Sequence, residues 1–427
     1  MNCNRMKRPS QLVEARNLQK FKSSCEFSAW LEPALCATLK RKPLSAQGGL
    51  SMSNRINHAV IVLAVVVAFL VSAGIRMDAS TGPDQATGLD GRPLTPAGNL
   101  VLDATTRQPA VGALPVGFAR SPDHNGPSGG GRYLITINSG FGIDFSTPNH
   151  PRQSLAVIDL NARPEPTVVE NVYFASPQSA NVGIAFDQTA DPDGAYRLYV
   201  SGGFENKIWL FHLRPGARQP LQPSAPAATG KIEGESIDVN GFASRAPSPN
   251  YNNSAAPVYP TGLAISPNGR ELFVANNLAD SLGIVREPEN ERTLARVDLR
   301  ADIDKENVYP YGVVVLPNSN GGAEKVYVSC WSAGAVAVVD PGNTRKAPIR
   351  IPVESHPTAM ILNGAASRLY VVNSGADSVS VIDTRTDKVV EKISTKLAER
   401  GPIGNSPEAL ALGPDDATLF VANAHSN

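Results

Sequence analysis

The chain has 427 residues with Lys+Arg and Asp+Glu balanced at 39 each, so it lacks the basic surplus a nucleic-acid binder needs. Gly 36 and Pro 35 are high for a helical protein and ordinary for an all-β one full of turns. Cys3, Cys25 and Cys36 lie in the first 51 residues and only Cys330 lies beyond them, which excludes a disulfide framework in the remainder.

Residues 1–51 carry nine Lys/Arg against three Asp/Glu and show no clear periodicity, which is expected of a mis-assigned start of translation or a disordered extension. An unbroken apolar and small-residue run follows at 59–73. As a helix it reaches only about 22 Å, short of the roughly 30 Å hydrocarbon core of a bilayer. Arg55 and His58 precede it, Met52 is a suitable initiator, and Val71 and Ala73 have the spacing of a small-residue cleavage site. Residues 52–79 are therefore expected to be a signal peptide, with an uncleaved membrane anchor as the rival. The predicted destination is the periplasm or the cell exterior. Residues 80–97 read as a linker, and 98–427 as the folded domain.

That domain repeats one phrase. Leu198-Tyr-Val-Ser-Gly, Leu272-Phe-Val-Ala-Asn, Val326-Tyr-Val-Ser-Cys, Leu369-Tyr-Val-Val-Asn and Leu419-Phe-Val-Ala-Asn are one strand written five times, and Tyr133-Leu-Ile-Thr-Ile-Asn is a looser copy. A small-residue segment such as Pro260-Thr-Gly-Leu-Ala-Ile precedes each, and an alternating strand ending in Asp, such as Val379-Ser-Val-Ile-Asp383, follows the complete copies. Tandem units of short strands predict an all-β fold, a β-propeller of four-stranded blades. No helical pattern of the length needed for parallel-strand crossovers separates the strands.

The predicted strands of blade one are 116–119, 132–138, 154–160 and 167–174. Blade two takes 182–187, 197–201, 207–213 and 231–239, and blade three 262–266, 271–276, 281–285 and 293–299. Blade four takes 312–316, 325–329, 335–340 and 348–353, and blade five 357–362, 368–373, 378–383 and 388–393. Blade six has only 407–412 and 418–423. The ring is thus expected to be seven-bladed when complete, with five full blades and a truncated sixth here. Gly98-Asn-Leu-Val-Leu-Asp-Ala-Thr-Thr is a spare strand of the kind that closes such rings, and a continuation past Asn427 is expected. Inner strands carry Gly, Ala and Thr because blades converge at the axis. Middle strands carry bulky residues on both faces.

Chemistry is harder to find. His58, His124, His150, His212, His356 and His425 form no His-x-x-x-His pattern, and no Cys-x-x-Cys occurs. No catalytic residue, metal or cofactor is expected on these grounds. Asp159, Asp340 and Asp383 end their strands at equivalent places and read as turn-formers rather than as a catalytic pair. Cys330 reads as a small buried residue. Phe141, Asp144 and Phe145, on the long loop after the second strand of blade one, and Trp331 after Cys330 are the candidate binding-face residues, against plain packing roles.

Taken together, the Leu-Tyr-Val-Ala-Asn strands and Ser-Val-Ser-Val-Ile-Asp partners resemble the YVTN-type β-propeller repeat family over residues 98–427. That family is similar in fold to lactonase-type propellers. Segments such as Pro177-Gln-Ser-Ala-Asn-Val-Gly and Tyr259-Pro-Thr-Gly-Leu-Ala-Ile-Ser-Pro are also similar to exported proteins in which such a propeller precedes a phosphoesterase domain of the alkaline-phosphatase superfamily. The resemblance implies three alternatives. The chain is a non-catalytic platform for an unknown protein or small-molecule ligand, the propeller part of a phosphoesterase, or a lactonase-like hydrolase. Nucleic acid is not an expected partner, and membrane contact is expected only through the N-terminal segment.

Overall fold

The computed structural model describes residues 111, 114–139, 153–175, 177–223, 231–243, 257–287, 292–301, 306–396 and 404–424. The expected extension, signal peptide, linker and spare strand lie outside them.

The described chain is a β-propeller. Blade one comprises β1 (Pro115–Arg120), β2 (Tyr133–Asn138), β3 (Ser154–Asp159) and β4 (Thr167–Tyr173), paired antiparallel in that order. Blade two comprises β5 (Ile184–Ala190), β6 (Tyr196–Ser201), β7 (Lys207–Leu213), β8 (Leu221–Gln222) and β9 (Ser236–Asp238). Blade three is β10 (Pro260–Ile265), β11 (Glu271–Asn276), β12 (Ser281–Arg286) and β13 (Thr293–Asp298). In blade four the strands are β14 (Pro310–Pro317), β15 (Ala323–Cys330), β16 (Ala335–Val339) and β17 (Ile349–Pro352). Blade five follows with β18 (Pro357–Leu362), β19 (Arg368–Asn373), β20 (Ser378–Asp383) and β21 (Lys388–Ser394), and blade six with β22 (Pro407–Leu412) and β23 (Leu419–Asn423). Helical structure among the described residues is limited to three-residue turns. Each inner strand contacts the next around the axis, β1 to β5, β10, β14, β18 and β22 in turn.

Blade two departs from the expected strand at 231–239. Its outer edge is shared by two short strands, β8 against His212 and Leu213, and β9 against Lys207, Ile208 and Trp209. The insertion rich in Pro, which has no N–H to donate to a ladder, separates the two pairings.

Period-two alternation of the repeated phrase explains how the blades stack. Leu198 and Val200 pack into the core shared with blade one, while Tyr199 between them points the other way, into the core shared with blade three. Leu272 and Val274 face blade two, and Phe273 faces blade four. Val326 and Val328 then face blade three, and Tyr327 faces blade five. The four residues expected to be equivalent, Leu198, Leu272, Val326 and Leu369, are all 0% exposed on second strands. Burying each such side chain contributes roughly 1.5–3 kcal/mol, and none of the blades could shield both faces alone.

The Asn that closes the phrase has its own task. Asn138, Asn276 and Asn373 each donate a side-chain N–H to the hydroxyl of the Ser that opens the next strand, Ser154, Ser281 and Ser378, at 3.1, 3.1 and 3.0 Å. Cys330 replaces Asn in blade four and is fully buried in the core between blades three and four.

Candidate functional site

The inner strands open with one motif. Pro115-Val-Gly-Phe, Asn181-Val-Gly-Ile, Pro260-Thr-Gly-Leu, Pro310-Tyr-Gly-Val, Pro357-Thr-Ala-Met and Pro407-Glu-Ala-Leu occupy equivalent places around the axis. The glycine is required by close approach. A Cβ on Gly117 would stand 2.5 Å from the carbonyl oxygen of Val182, and one on Gly312 2.7 Å from that of Thr358. Gly183 and Gly262 meet the carbonyl oxygens of Thr261 and Tyr311 in the same way. The blades therefore close to backbone contact, and the residues flanking each glycine line a cavity of about 700 Å³ along the axis.

Most of that wall is apolar, with Val116, Val182, Leu263, Val313, Met360 and Leu410 contributing. Its polar side chains are Thr136, Tyr311 and Glu408. Thr261 and Thr358, at the same motif position as Tyr311 and Glu408, are buried instead, and the Thr261 hydroxyl bonds to the carbonyls of Ala275, Pro310 and Tyr311. Burial, and then the negative charge of Glu408, push the Tyr311 phenol above its ordinary value. Tyr311 thus keeps its O–H on the same cavity wall that carries the Glu408 carboxylate. The Ser406 hydroxyl donates to that carboxylate at 3.3 Å.

The end of the ring where the inner strands begin is shaped by a second repeat. Leu114, Tyr259, Tyr309, His356 and Ser406, each just before the strand proline, have φ of 53, 51, 48, 55 and 49°. Their carbonyls accept the backbone N–H of Ser139, Asn277, Trp331, Ser374 and Ala424, the first residue after each second strand. A left-handed non-glycine residue is costly. Recurrence on five blades marks it as a building element of the fold.

Side chains from the neighbouring blade clamp this turn. The Asn206 side-chain oxygen accepts the Tyr259 N–H at 3.0 Å. Asp280 accepts the N–H groups of Val308 and Tyr309 at 2.8 and 3.3 Å. Asp377 accepts those of Gly404 and Ser406 at 2.7 and 3.0 Å. Blade four has Gly334 at the clamp position, at φ 55°, and so contributes no side chain to the His356 turn. There the Trp331 and His356 rings stack instead, with centroids 3.9 Å apart and planes 9° from parallel, and Tyr309 meets Trp331 edge-on at 6.4 Å.

Of the candidate binding-face residues, Trp331 lies on this rim, 37% exposed, while Phe141, Asp144 and Phe145 lie outside the described residues. Asp159 and Asp383 are turn-formers, accepting the backbone N–H of Asn161 and Thr386, and each pairs with an arginine of its own blade, Arg132 and Arg368, at 2.6 Å. Asp340 accepts the Gly342 N–H at 3.1 Å. Tyr311, Glu408 and His356 were not singled out from sequence. Their signal is positional, because each differs from its counterparts once the repeats are aligned at the inner-strand proline. Among the described residues no group of three or more His, Cys, Asp and Glu is placed to hold a metal ion.

Residues 256–375, from the start of blade three into blade five, match the family model described as SMP-30/Gluconolactonase/LRE-like region. The class that the sheets define is a β-propeller, and the matched stretch resembles a lactonase-type family model. The chain is 29% identical over 163 residues to the uncharacterized protein YncE of Salmonella typhimurium, an alignment spanning 38% of this chain and 41% of that relative's length. It is also similar to the periplasmic gluconolactonase PpgL of Pseudomonas aeruginosa, at 17% identity and a TM-score of 0.49 over 73% of this chain and 79% of that one. A likeness to the virginiamycin B lyase of Staphylococcus aureus has 12% identity and a TM-score of 0.43 over 75% and 79% of the two chains. Neighbours named for a lactonase and for a lyase do not choose an activity.

Proposed function

We propose that the chain is a lactonase-type hydrolase that takes a small cyclic ester of a sugar acid into the mouth of its channel. The observation that carries this reading is that Tyr311 and Glu408 line the same cavity, with Tyr311 inside the stretch that matches the lactonase-type family model. The Glu408 carboxylate accepts a proton from water as the water oxygen bonds to the ester carbonyl carbon. The Tyr311 O–H donates to the carbonyl oxygen as negative charge gathers there. When the ring C–O bond breaks, the leaving oxygen takes the proton back from Glu408, so one water and one lactone become one hydroxy acid.

The test is hydrolysis of D-gluconolactone followed by acid release, with divalent metals titrated in parallel. Turnover above buffer is expected, falling about a hundredfold in Glu408→Gln and about tenfold in Tyr311→Phe. A wild-type rate equal to buffer under every metal condition would sink the reading.

The predominantly apolar wall favours a second reading, a binding platform without chemistry, whose signature is saturable ligand binding with no turnover. The repeated Leu-Tyr-Val-Ala-Asn strands support a YVTN-type repeat within this class. The phosphoesterase reading has sequence resemblance alone in its favour. Export rests on the run at 59–73, and amino-terminal sequencing of secreted protein tests it.

A further inference from the structure

Six loop positions are equivalent around the rim, the residue after each copy of the repeated phrase, and they hold Ser139, Gly203, Asn277, Trp331, Ser374 and Ala424. Five are small or polar. Ala424, the blade-six member, lines the axial cavity, and Trp331 stands at the same end of its own blade, where the inner strand begins. Trp331 is fixed there from two sides. Its backbone N–H donates to the Tyr309 carbonyl at 3.1 Å, and its ring is held parallel to His356 with Tyr309 against its edge.

This junction is also where the clamp is missing. Gly334 replaces the Asn or Asp of blades two, three and five although a Cβ there would meet nothing closer than the Glu354 carbonyl oxygen at 3.4 Å. Blade four has thus exchanged an interblade polar cap for a stacked ring pair, and Trp331 remains 37% exposed. The indole, stacked on one side by His356, thus leaves part of its surface open to contact.

We propose that Trp331, backed by His356, is a ring-binding platform at the channel mouth, on which the apolar C–H face of a pyranose-type ring lies. Tyr311 and Glu408, near the start of inner strands at the same end, meet the polar edge of that ring. The choice of ring rests on the lactonase-type reading, whereas the platform rests on the stack and its position.

The experiment combines lactone kinetics with tryptophan emission in the full chain and in Trp331→Phe, Trp331→Ala and His356→Ala. If wild type turns over D-gluconolactone, Trp331→Ala is expected to raise KM about tenfold with a smaller change in kcat, and Trp331→Phe to restore most of it. Unchanged KM in Trp331→Ala, with turnover intact, overturns the platform and leaves the hydrolase reading standing. If wild type shows no turnover, gluconolactam and methyl glucoside serve as unreactive rings. Emission that either ring changes in wild type but not in Trp331→Phe upholds the platform without the hydrolase. No change with either ring overturns both.

Discussion

Phe273 and Phe420 occupy the same place in their blades, the centre of the second strand, yet Phe273 is 0% exposed and Phe420 is 60% exposed. Phe273 enters the core shared with blade four, and Tyr199 and Tyr327 at the same place are equally buried against their next blades, while Tyr370 in blade five is half-buried. One ring chemistry in one backbone setting therefore separates burial from propensity. Phe273→Ala is expected to cost about 3–5 kcal/mol of stability and Phe420→Ala less than about 1 kcal/mol, read from urea midpoints. Equal costs would mean that the blade-six face is packed in solution.

Gly262 sits against the Tyr311 carbonyl oxygen with the Gly312 Cα 3.0 Å from where its Cβ would be, so neither neighbour is a flexible side chain that can give way. Gly262→Ala should push blades three and four apart at the axis and destabilise the ring by about 1–3 kcal/mol. Blade five carries Ala359 at this place, and Ala359→Gly should cost about 1 kcal/mol or less. Denaturant midpoints of the two variants decide the matter, and a neutral Gly262→Ala would show that the close approach relaxes.

How much of this was legible without coordinates differs from residue to residue. The alternation Leu198-Tyr199-Val200 already states that both strand faces are buried, because polar residues would otherwise occupy every second place. The Pro-x-Gly and Pro-x-Ala openings of the inner strands were visible, and crowding at the axis follows from them. The clamps were not, because Asp280 and Asp377 bond to backbone groups 27 to 29 positions later in the chain, on the next blade. A local reading sees only an Asp before a strand. Trp331 stood out by type, whereas His356 and Glu408 matter through their place on the ring, which no spacing along the chain displays. The split edge of blade two was hidden for the same reason, since β8 and β9 find β7 from opposite sides of an insertion.

Asp280 gives that clamp a pH signature. Burial holds its carboxyl above the ordinary value of 3.8, against the lowering effect of the Val308 and Tyr309 N–H groups and of Arg300. The folded chain therefore holds this proton more tightly than the unfolded one. Its contribution to stability falls as pH rises from 3.8 through the raised folded value and is level above it. Asp377 differs, because although burial pushes it up, the N–H groups of Gly404, Asn405 and Ser406 together bring it below 3.8. Stability from Asp377 is present above 3.8 and lost as pH falls through its lowered folded value. Asp280→Asn keeps an acceptor, as Asn206 does in blade two, and should change stability by less than about 1 kcal/mol near neutral pH. Asp280→Ala leaves buried N–H groups unmet and should cost about 1–3 kcal/mol. Across acid titrations, the stability of wild type relative to Asp280→Asn should decline as pH rises, and the Asp377 contribution cancels in that difference. A flat difference would refute the burial account.

The Tyr311–Glu408 relationship can be checked apart from any activity. Two causes hold the phenol proton on Tyr311, burial first and the Glu408 charge second, and substitution separates them. Glu408→Gln removes the charge and keeps the volume, so tyrosinate at position 311 should form at lower pH than in wild type while staying above an exposed tyrosine. Tyr311→Phe identifies the resonance, because the chain has ten tyrosines and only one disappears in this variant. Ring-labelled tyrosine NMR across an alkaline titration reads the shift directly. If the Tyr311 titration is the same in Glu408→Gln as in wild type, the two groups do not sense each other, and the proposed ester hydrolysis loses the joint action of Tyr311 and Glu408 that it needs.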